Sequence, residues 1–143
     1  MKIKLLNNLA KIPTKGSEYA AGWDLYAATN YDIHIPPHQT VKIDTGIAIA
    51  IPQGFFGAIF ARSGIATKQG LRPANCVGVI DADYRGPVIV DLHNDSDEDQ
   101  IVLAGSRIAQ LIVIKYLGLD LEVVDDLDET DRGDGGFGST GVK

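Results

Sequence analysis

The chain has one cysteine, one tryptophan and one methionine in 143 residues, and further scarcities close off whole lines of explanation. With Cys76 alone, no intrachain disulfide can form and a cysteine-built metal site is not expected. No apolar run approaches the roughly 18 residues that a membrane-spanning helix needs. The opening MKIKLLNNLAKIPTKG has neither the apolar stretch nor the small-residue cleavage site of a secretory leader, so a cytoplasmic address is expected. Positive charge is short too: 13 Lys and Arg face 19 Asp and Glu, a net charge of −6. That balance argues against a nucleic-acid binder, which normally carries a basic face. A few arginines can still build a local positive site, so a small anionic ligand stays open.

What the chain does have is ordinary globular material: 45% hydrophobic and 22% charged residues, in a length suited to one domain. Its periodicity is that of strands. In VKIDTGIAIAI, residues 41–51, Val41, Ile43, Ile47, Ile49 and Ile51 share one parity, and Pro52 ends the run. VIVDLHND (88–95) alternates similarly and leaves His93 on the polar side, where it reads as solvated. RIAQLIVIKY (107–116) is apolar almost throughout, as befits a strand covered on both faces. Shorter strands are expected at 3–6, 24–28, 31–35, 56–61, 76–80, 100–104 and 121–127. Within these, Cys76 reads as a small buried hydrophobe. Only SGIATKQG (63–70) has the form of a helix, with Ser63 as N-cap and Gly70 as stop. Many short strands between turn signals imply an all-β sandwich or barrel with one short helix. Composition shifts only near the end, dividing a body, 1–131, from a glycine-rich C-terminal arm, 132–143.

Two patterns mislead. Gly133, Gly135 and Gly138 spell GxGxxG, but that fingerprint must follow a strand, open a helix and precede a distant acidic residue. The sequence ends five residues after Gly138, and Ser139 stands where a P-loop needs lysine. His34 and His38 have the spacing of paired ligands on a helix, yet Pro36-Pro37 between them forbids one.

Five stretches remain: AAGWDLYAA (20–28), ARSGIA (61–66), NCVGVIDADYRG (75–86), GSRIAQL (105–111) and RGDGGFGSTG (132–141). Singly, each has an ordinary explanation. Asp24 can cap a turn, Arg62 can form a surface ion pair, Gln110 can satisfy a buried backbone group, and a glycine-rich terminus is commonly disordered. Together and in this order they resemble the homotrimeric dUTPase family, the deoxyuridine triphosphate nucleotidohydrolases. Its motifs have the forms A-G-x-D-L, R-S-G-L-A, G-x-I-D-x-D-Y-x-G, G-x-R-I-A-Q and R-G-x-x-G-F-G-S-T-G. The likeness covers nearly the whole chain. Ile65 stands where leucine is usual, Ala61 where proline is common, and Ser106 at an often acidic position; none matches a group expected to contact substrate.

The resemblance implies a distorted jelly-roll β-barrel that hydrolyses dUTP to dUMP and pyrophosphate, by water attack on the α-phosphate. Mg²⁺ would travel mainly on the triphosphate, with no direct protein ligand assigned. The likeness gives Asp81 the part of holding and activating the water, and sets Gln110 beside the α-phosphate. An aspartate of ordinary pKa is a weak base, so positioning should supply much of its effect. Arg62 is a fixed cation for the phosphates, and the backbone of Ser63 and Gly64 at the helix start suits an anion. Asp24 is carried over as a polar organiser of the phosphate–metal region. Strict strand alternation puts Arg107 and Gln110 on opposite faces, which favours a subunit contact for Arg107.

For the nucleoside, Asn75 opens the hairpin that by resemblance reads uracil through backbone groups and leaves no room for a C5 methyl. Attraction distinguishes a methyl group by only about 1–3 kcal/mol, so that rejection should be steric. Tyr84 would pack under deoxyribose and exclude a 2′-hydroxyl. Asp83 and Arg85 stay open between touching substrate and bracing the turn. In the arm, Phe137 would lie over uracil, a contact of roughly 1–3 kcal/mol. Arg132, Gly138, Ser139 and Thr140 would reach the β- and γ-phosphates. Fixing each backbone residue costs roughly 1–2 kcal/mol, so the arm is expected to be mobile when free and ordered over dUTP. The likeness also implies a homotrimer whose subunits share each site. One would give the phosphate motifs, a second the uracil hairpin, and a third the lid. Removing dUTP in this way keeps uracil out of DNA and supplies dUMP for thymidylate synthesis.

Two rivals can be weighed on the residues. A dCTP deaminase shares the fold but uses a glutamate at the base, and none lies between Glu18 and Glu98. A silent nucleotide-binding module has no need of Asp81, Gln110 and the complete arm together.

Overall fold

Most of the period-two segments become strands, and their apolar parity becomes the core. The structure, a computed structural model, describes residues 1–136. In chain order the strands are β1 (Lys2–Leu5), β2 (Thr14–Lys15), β3 (Trp23–Tyr26), β4 (Ile33–Ile35), β5 (Thr40–Asp44), β6 (Ile47–Ala50) and β7 (Phe55–Phe60). After the helix α1 (Ser63–Gln69) come β8 (Leu71–Pro73), β9 (Gly78–Ile80), β10 (Ile89–Asn94), β11 (Gln100–Val102) and β12 (Arg107–Lys115).

The largest sheet has the order β2-β3-β12-β7-β9, with every neighbouring pair antiparallel. A second sheet, β5-β10-β8, and the pairs β1-β6 and β11-β4 complete an all-β architecture. Leu25, Ile43, Ile47, Leu71, Leu92, Ile108 and Leu111 meet in one core drawn from several of these sheets. The nearest neighbours in space are mostly distant in sequence, so the body closes as a unit. Asn94 is the buried polar exception: its amide donates to the carbonyls of Ile35 and Glu98, and its carbonyl accepts from Ser96. That satisfies a group whose unpaired burial would be costly.

Five expectations need correction. The run 41–51 is two strands rather than one, because Gly46 sits at φ +67° and the chain changes partner there, from β10 to β1. A Cβ at Gly46 would lie 2.8 Å from that of Ala10 and 2.9 Å from that of Ala28, so only glycine fits the break. Inward parity survives the turn, which is why alternation alone could not find it. Residues 121–127 form no strand: Leu121 and Val123 are almost wholly exposed, and no described strand pairs with them. Ser63 is not the N-cap. Arg62 holds that position at φ −80°, ψ 132°, no side chain caps the turn, and Ser63 is the first helical residue.

Cys76 is exposed rather than buried, at φ 63°, where it closes a turn through its amide to the Pro73 carbonyl at 2.9 Å. His93 is half-buried rather than solvated, with Nδ1 2.9 Å from Thr40 Oγ1. Gly70 does stop the helix, in the left-handed conformation at φ 66°. The short strands β2 and β8 carry too few residues to show a period.

Candidate active site

Strands β3 and β12 lie side by side with Gln110 opposite Asp24, so both side chains emerge at the same place beside the start of α1. Asp24 is the least exposed charged group there, at 13% of its side-chain surface. Arg62 Nε donates to its Oδ1 at 2.7 Å, and Arg107 Nη1 donates to its Oδ2 at 3.1 Å. One carboxylate therefore fixes two guanidiniums, and each keeps further N–H groups for another acceptor. Gln110 Nε2 donates to the Ala61 carbonyl at 3.0 Å, tying β12 to the loop that enters α1. Gly22 leaves room for this amide, since a Cβ there would sit 3.2 Å from Gln110 Oε1.

Arg107 corrects the alternation argument. The register between β12 and β3 shifts between Arg107 and Ala109, a bulge that resets the parity of the strand. Arg107 and Gln110 consequently line the same cleft, of about 390 Å³, with Asp24, Arg62, Ser63 and Gly64. The loop residues Gly16, Ala20 and Ala21 also line it. Ala20 and Ala21 belong to the first motif stretch, whereas Gly16 lies outside every motif and carried no signal.

The hairpin residues stand elsewhere. Asp81 follows β9 and is exposed, lining a shallow cleft of about 640 Å³ with Asp83, Arg85, Gln53, Phe56 and Tyr116. Arg85 Nη1 donates to the carbonyls of Ala82 at 2.7 Å and Tyr84 at 2.8 Å, so it braces the turn. Tyr84 is 42% exposed, and its hydroxyl donates to the Pro87 carbonyl at 3.1 Å, so it is no core ring. Gly86 leaves room beneath it, because a Cβ there would push the phenol aside. Asn75 lines a third cleft, of about 240 Å³, together with Gly78, Pro73, Ala74 and Ile89.

Among the described residues, these three clefts share no lining side chain. The fold thus brings together Asp24, Arg62, Ser63, Gly64 and Gln110, and within one chain keeps Asp81, Asn75 and Tyr84 apart from them. Arg132 is exposed, its Nε donating to the Gly135 carbonyl at 2.8 Å. Phe137, Gly138, Ser139 and Thr140 lie outside the described residues.

Known proteins resemble this chain in sequence and in fold. The model of the dUTPase family matches residues 8–141. A deoxyuridine 5′-triphosphate nucleotidohydrolase of Arabidopsis thaliana is 52% identical over 141 residues, covering 99% of this chain and 82% of that protein. Among solved structures, the dUTPase of Staphylococcus bacteriophage 80alpha, with dUpNHpp, superposes with a TM-score of 0.89 at 28% identity, over 99% of this chain and 98% of that one. A mutant dUTPase from phage phi11 of S. aureus, described with a coordinated structural Mg(II) ion, has the same fold at a TM-score of 0.78 and 23% identity, over 87% of this chain and 96% of that one. The five motifs, the all-β body and the arginine pair on Asp24 thus meet in a chain that belongs to the dUTPase family.

Proposed function

We propose that the chain hydrolyses dUTP to dUMP and pyrophosphate, within a homotrimer whose sites are shared between subunits. The observation that carries this reading is the convergence of Arg62 and Arg107 on Asp24 beside Gln110. Phosphoryl transfer needs fixed positive charge around oxygens that gain charge in the transition state. Here the two guanidiniums are already oriented before substrate arrives, so little reorganisation remains at the moment of reaction.

In the proposed mechanism Asp81 holds the attacking water by the α-phosphorus, and Gln110 sets the α-phosphate. Arg62 and the backbone of Ser63 and Gly64 receive the phosphate chain, and Asp24 keeps the arginines aimed. Asn75 and its hairpin read uracil, and Tyr84 supports the deoxyribose. Residues 1–131 act as the body, while 132–143 close over substrate, with Arg132, Gly138, Ser139 and Thr140 on the phosphates and Phe137 on the base. Mg²⁺ would shield the triphosphate's negative charge. The residues fit an ion carried by substrate better than one held by protein. Asp24 is occupied by two guanidiniums, and no group of three or more His, Cys, Asp or Glu suited to a metal occurs among the described residues.

A shared site is supported by the three separate clefts of the single chain. It is supported again by the exposed Leu117, Leu119, Leu121 and Val123, apolar side chains that find no described strand in their own subunit. No described helix is long and apolar enough to cross a membrane. A cytoplasmic enzyme acting on free nucleotide is the setting this reading needs.

The test is pyrophosphate release with Mg²⁺ from dUTP, dTTP, dCTP and UTP in parallel. Release from dUTP alone is expected and covers both selectivities, for the C5 methyl and the 2′-hydroxyl. No release from any, with ammonia from dCTP, would transfer the chain to deamination.

A further inference from the structure

We infer that Arg72 is a positioning residue for the base-reading turn, a forked clamp that fixes the backbone at the start of the hairpin. The inference rests on the function proposed above, and it concerns a residue outside all five motif stretches.

Arg72 lies on β8, opposite His93 of β10. Two of its nitrogens grip Asp95, Nε to Oδ2 at 2.7 Å and Nη2 to Oδ1 at 3.0 Å. The third nitrogen, Nη1, turns the other way and donates to the carbonyls of Pro73 at 3.3 Å and Ala74 at 3.2 Å. The Cys76 thiol lies 3.9 Å from the same nitrogen. The anchor is itself held: Asp95 donates its backbone N–H to the Gly70 carbonyl at 3.0 Å, directly after the buried Asn94. The guanidinium is a rigid planar fork, so fixing two of its corners fixes the direction of the third.

The turn it grips has reason to relax. Cys76 sits at φ 63°, in the left-handed region that a side chain disfavours, and the Val77 amide reaches back to the Asn75 carbonyl at 2.7 Å. Such a conformation persists when its surroundings over-determine it. Pro73, Ala74, Asn75 and Gly78 all line the hairpin cleft of about 240 Å³. A site that recognises a base by backbone groups depends on where those groups point, and Arg72 sets that direction from outside the cleft. The side chains of Arg72 and Asp95 are 36% and 46% exposed, and ion pairs so open to water contribute little to stability. A purely structural role would therefore leave little to measure, whereas a positioning role shows in nucleoside affinity.

The experiment compares native enzyme with Arg72→Ala and Arg72→Lys, measuring kcat and KM for dUTP, inhibition by dUMP and by inorganic pyrophosphate, and Tm. For Arg72→Ala we expect KM and the dUMP inhibition constant to rise together by about tenfold, the size of one lost charge-assisted hydrogen bond. Over the same change kcat should stay within about twofold, pyrophosphate inhibition should hold, and Tm should move by about 2 °C or less. Arg72→Lys keeps the charge without the fork and should resemble the alanine variant.

Unchanged dUMP inhibition in Arg72→Ala would overturn the inference, as would equal weakening of dUMP and pyrophosphate together with a large fall in Tm. Full recovery by lysine would overturn the fork geometry. Should Arg72→Ala not fold, Asp95→Asn releases the anchor alone, and dUMP inhibition identical to native in that variant would equally refute it. Failure of the function proposed above is separable, because it would appear as no dUTP hydrolysis by the native enzyme.

Discussion

Around Asp24, two guanidiniums, a glutamine amide and the first turn of α1 are held by strands whose register fixes every one of them. From Leu117 to Asp134 nearly every residue is exposed, and the only described hydrogen bonds are short-range, such as Gly133 to Thr130 and Arg132 to Gly135. The first region is finished by the chain alone. The second has apolar side chains and a basic residue without a surface to use them on. The contrast separates what one chain preorganises from what, in the proposed trimer, would depend on substrate or on another copy.

The largest test of that division removes Asp81, the proposed holder of the attacking water, while leaving both regions intact. Asp81→Asn should lower kcat by about 10²–10⁴-fold, the range for a positioned general base, with affinity for a non-hydrolysable dUTP analogue nearly retained. Stopped-flow pyrophosphate release and calorimetry separate the two quantities. An equal loss of affinity would move Asp81 from chemistry to binding.

Deleting 132–143 comes next. Loss of a base stack and of charged phosphate contacts should reduce kcat/KM by roughly 10²–10³-fold. The change in Tm should be small, because among the described residues Arg132, Gly133 and Gly135 bond only with one another or with Thr130. Mixing this truncated chain with Asp81→Asn chains, after joint unfolding and refolding, sharpens the comparison further. If sites are shared, some mixed trimers combine an intact Asp81 from one chain with an intact arm from another, and activity returns above the sum of the separate variants. No recovery would mean that each chain completes its own site.

Asp24→Asn probes the finished region. Both arginines would lose the charge that orients them, and dUTP turnover should fall by about tenfold, through a poorer phosphate geometry. The body should stay folded, since Arg62 and Arg107 remain partly open to water and can be solvated.

The same contrast explains what the sequence made legible. By resemblance the motif runs assigned Asp24, Arg62, Ser63, Gly64 and Gln110 to the phosphate region, and in the structure these five line one cleft. The alternation in 107–116 gave the strand yet put Arg107 on the wrong face, since a bulge adds one residue without any mark in composition. The turn at Thr45-Gly46 hid for a related reason: inward residues keep their parity across it, so the pattern looks continuous while the hydrogen-bond partner changes. Residues 121–127 alternate as a strand should, but pairing is a property of two segments, and no described strand lies beside this one. Cys76 was misplaced because hydrophobicity says nothing about a left-handed turn residue. Arg72 had no signal at all; its partner, Asp95, is 23 positions away.

The smallest expected effect concerns that pair and pH. The Arg72 guanidinium, by hydrogen bond and then by charge, holds the Asp95 carboxyl below its ordinary value of 3.8, with His93 and His38 adding to the pull. A carboxylate whose pKa is depressed in the folded state stabilises the fold above its unfolded value, and loses that contribution as pH falls through the folded one. The difference in Tm between native protein and Asp95→Asn should therefore be present at about pH 7 and close as pH drops below roughly 4. Because both side chains are open to solvent, it should amount to about 2 °C or less at its largest. A difference that instead persisted well below that range would place the effect of Asp95 in its neutral hydrogen bonding, and the clamp on the hairpin would then not need its charge.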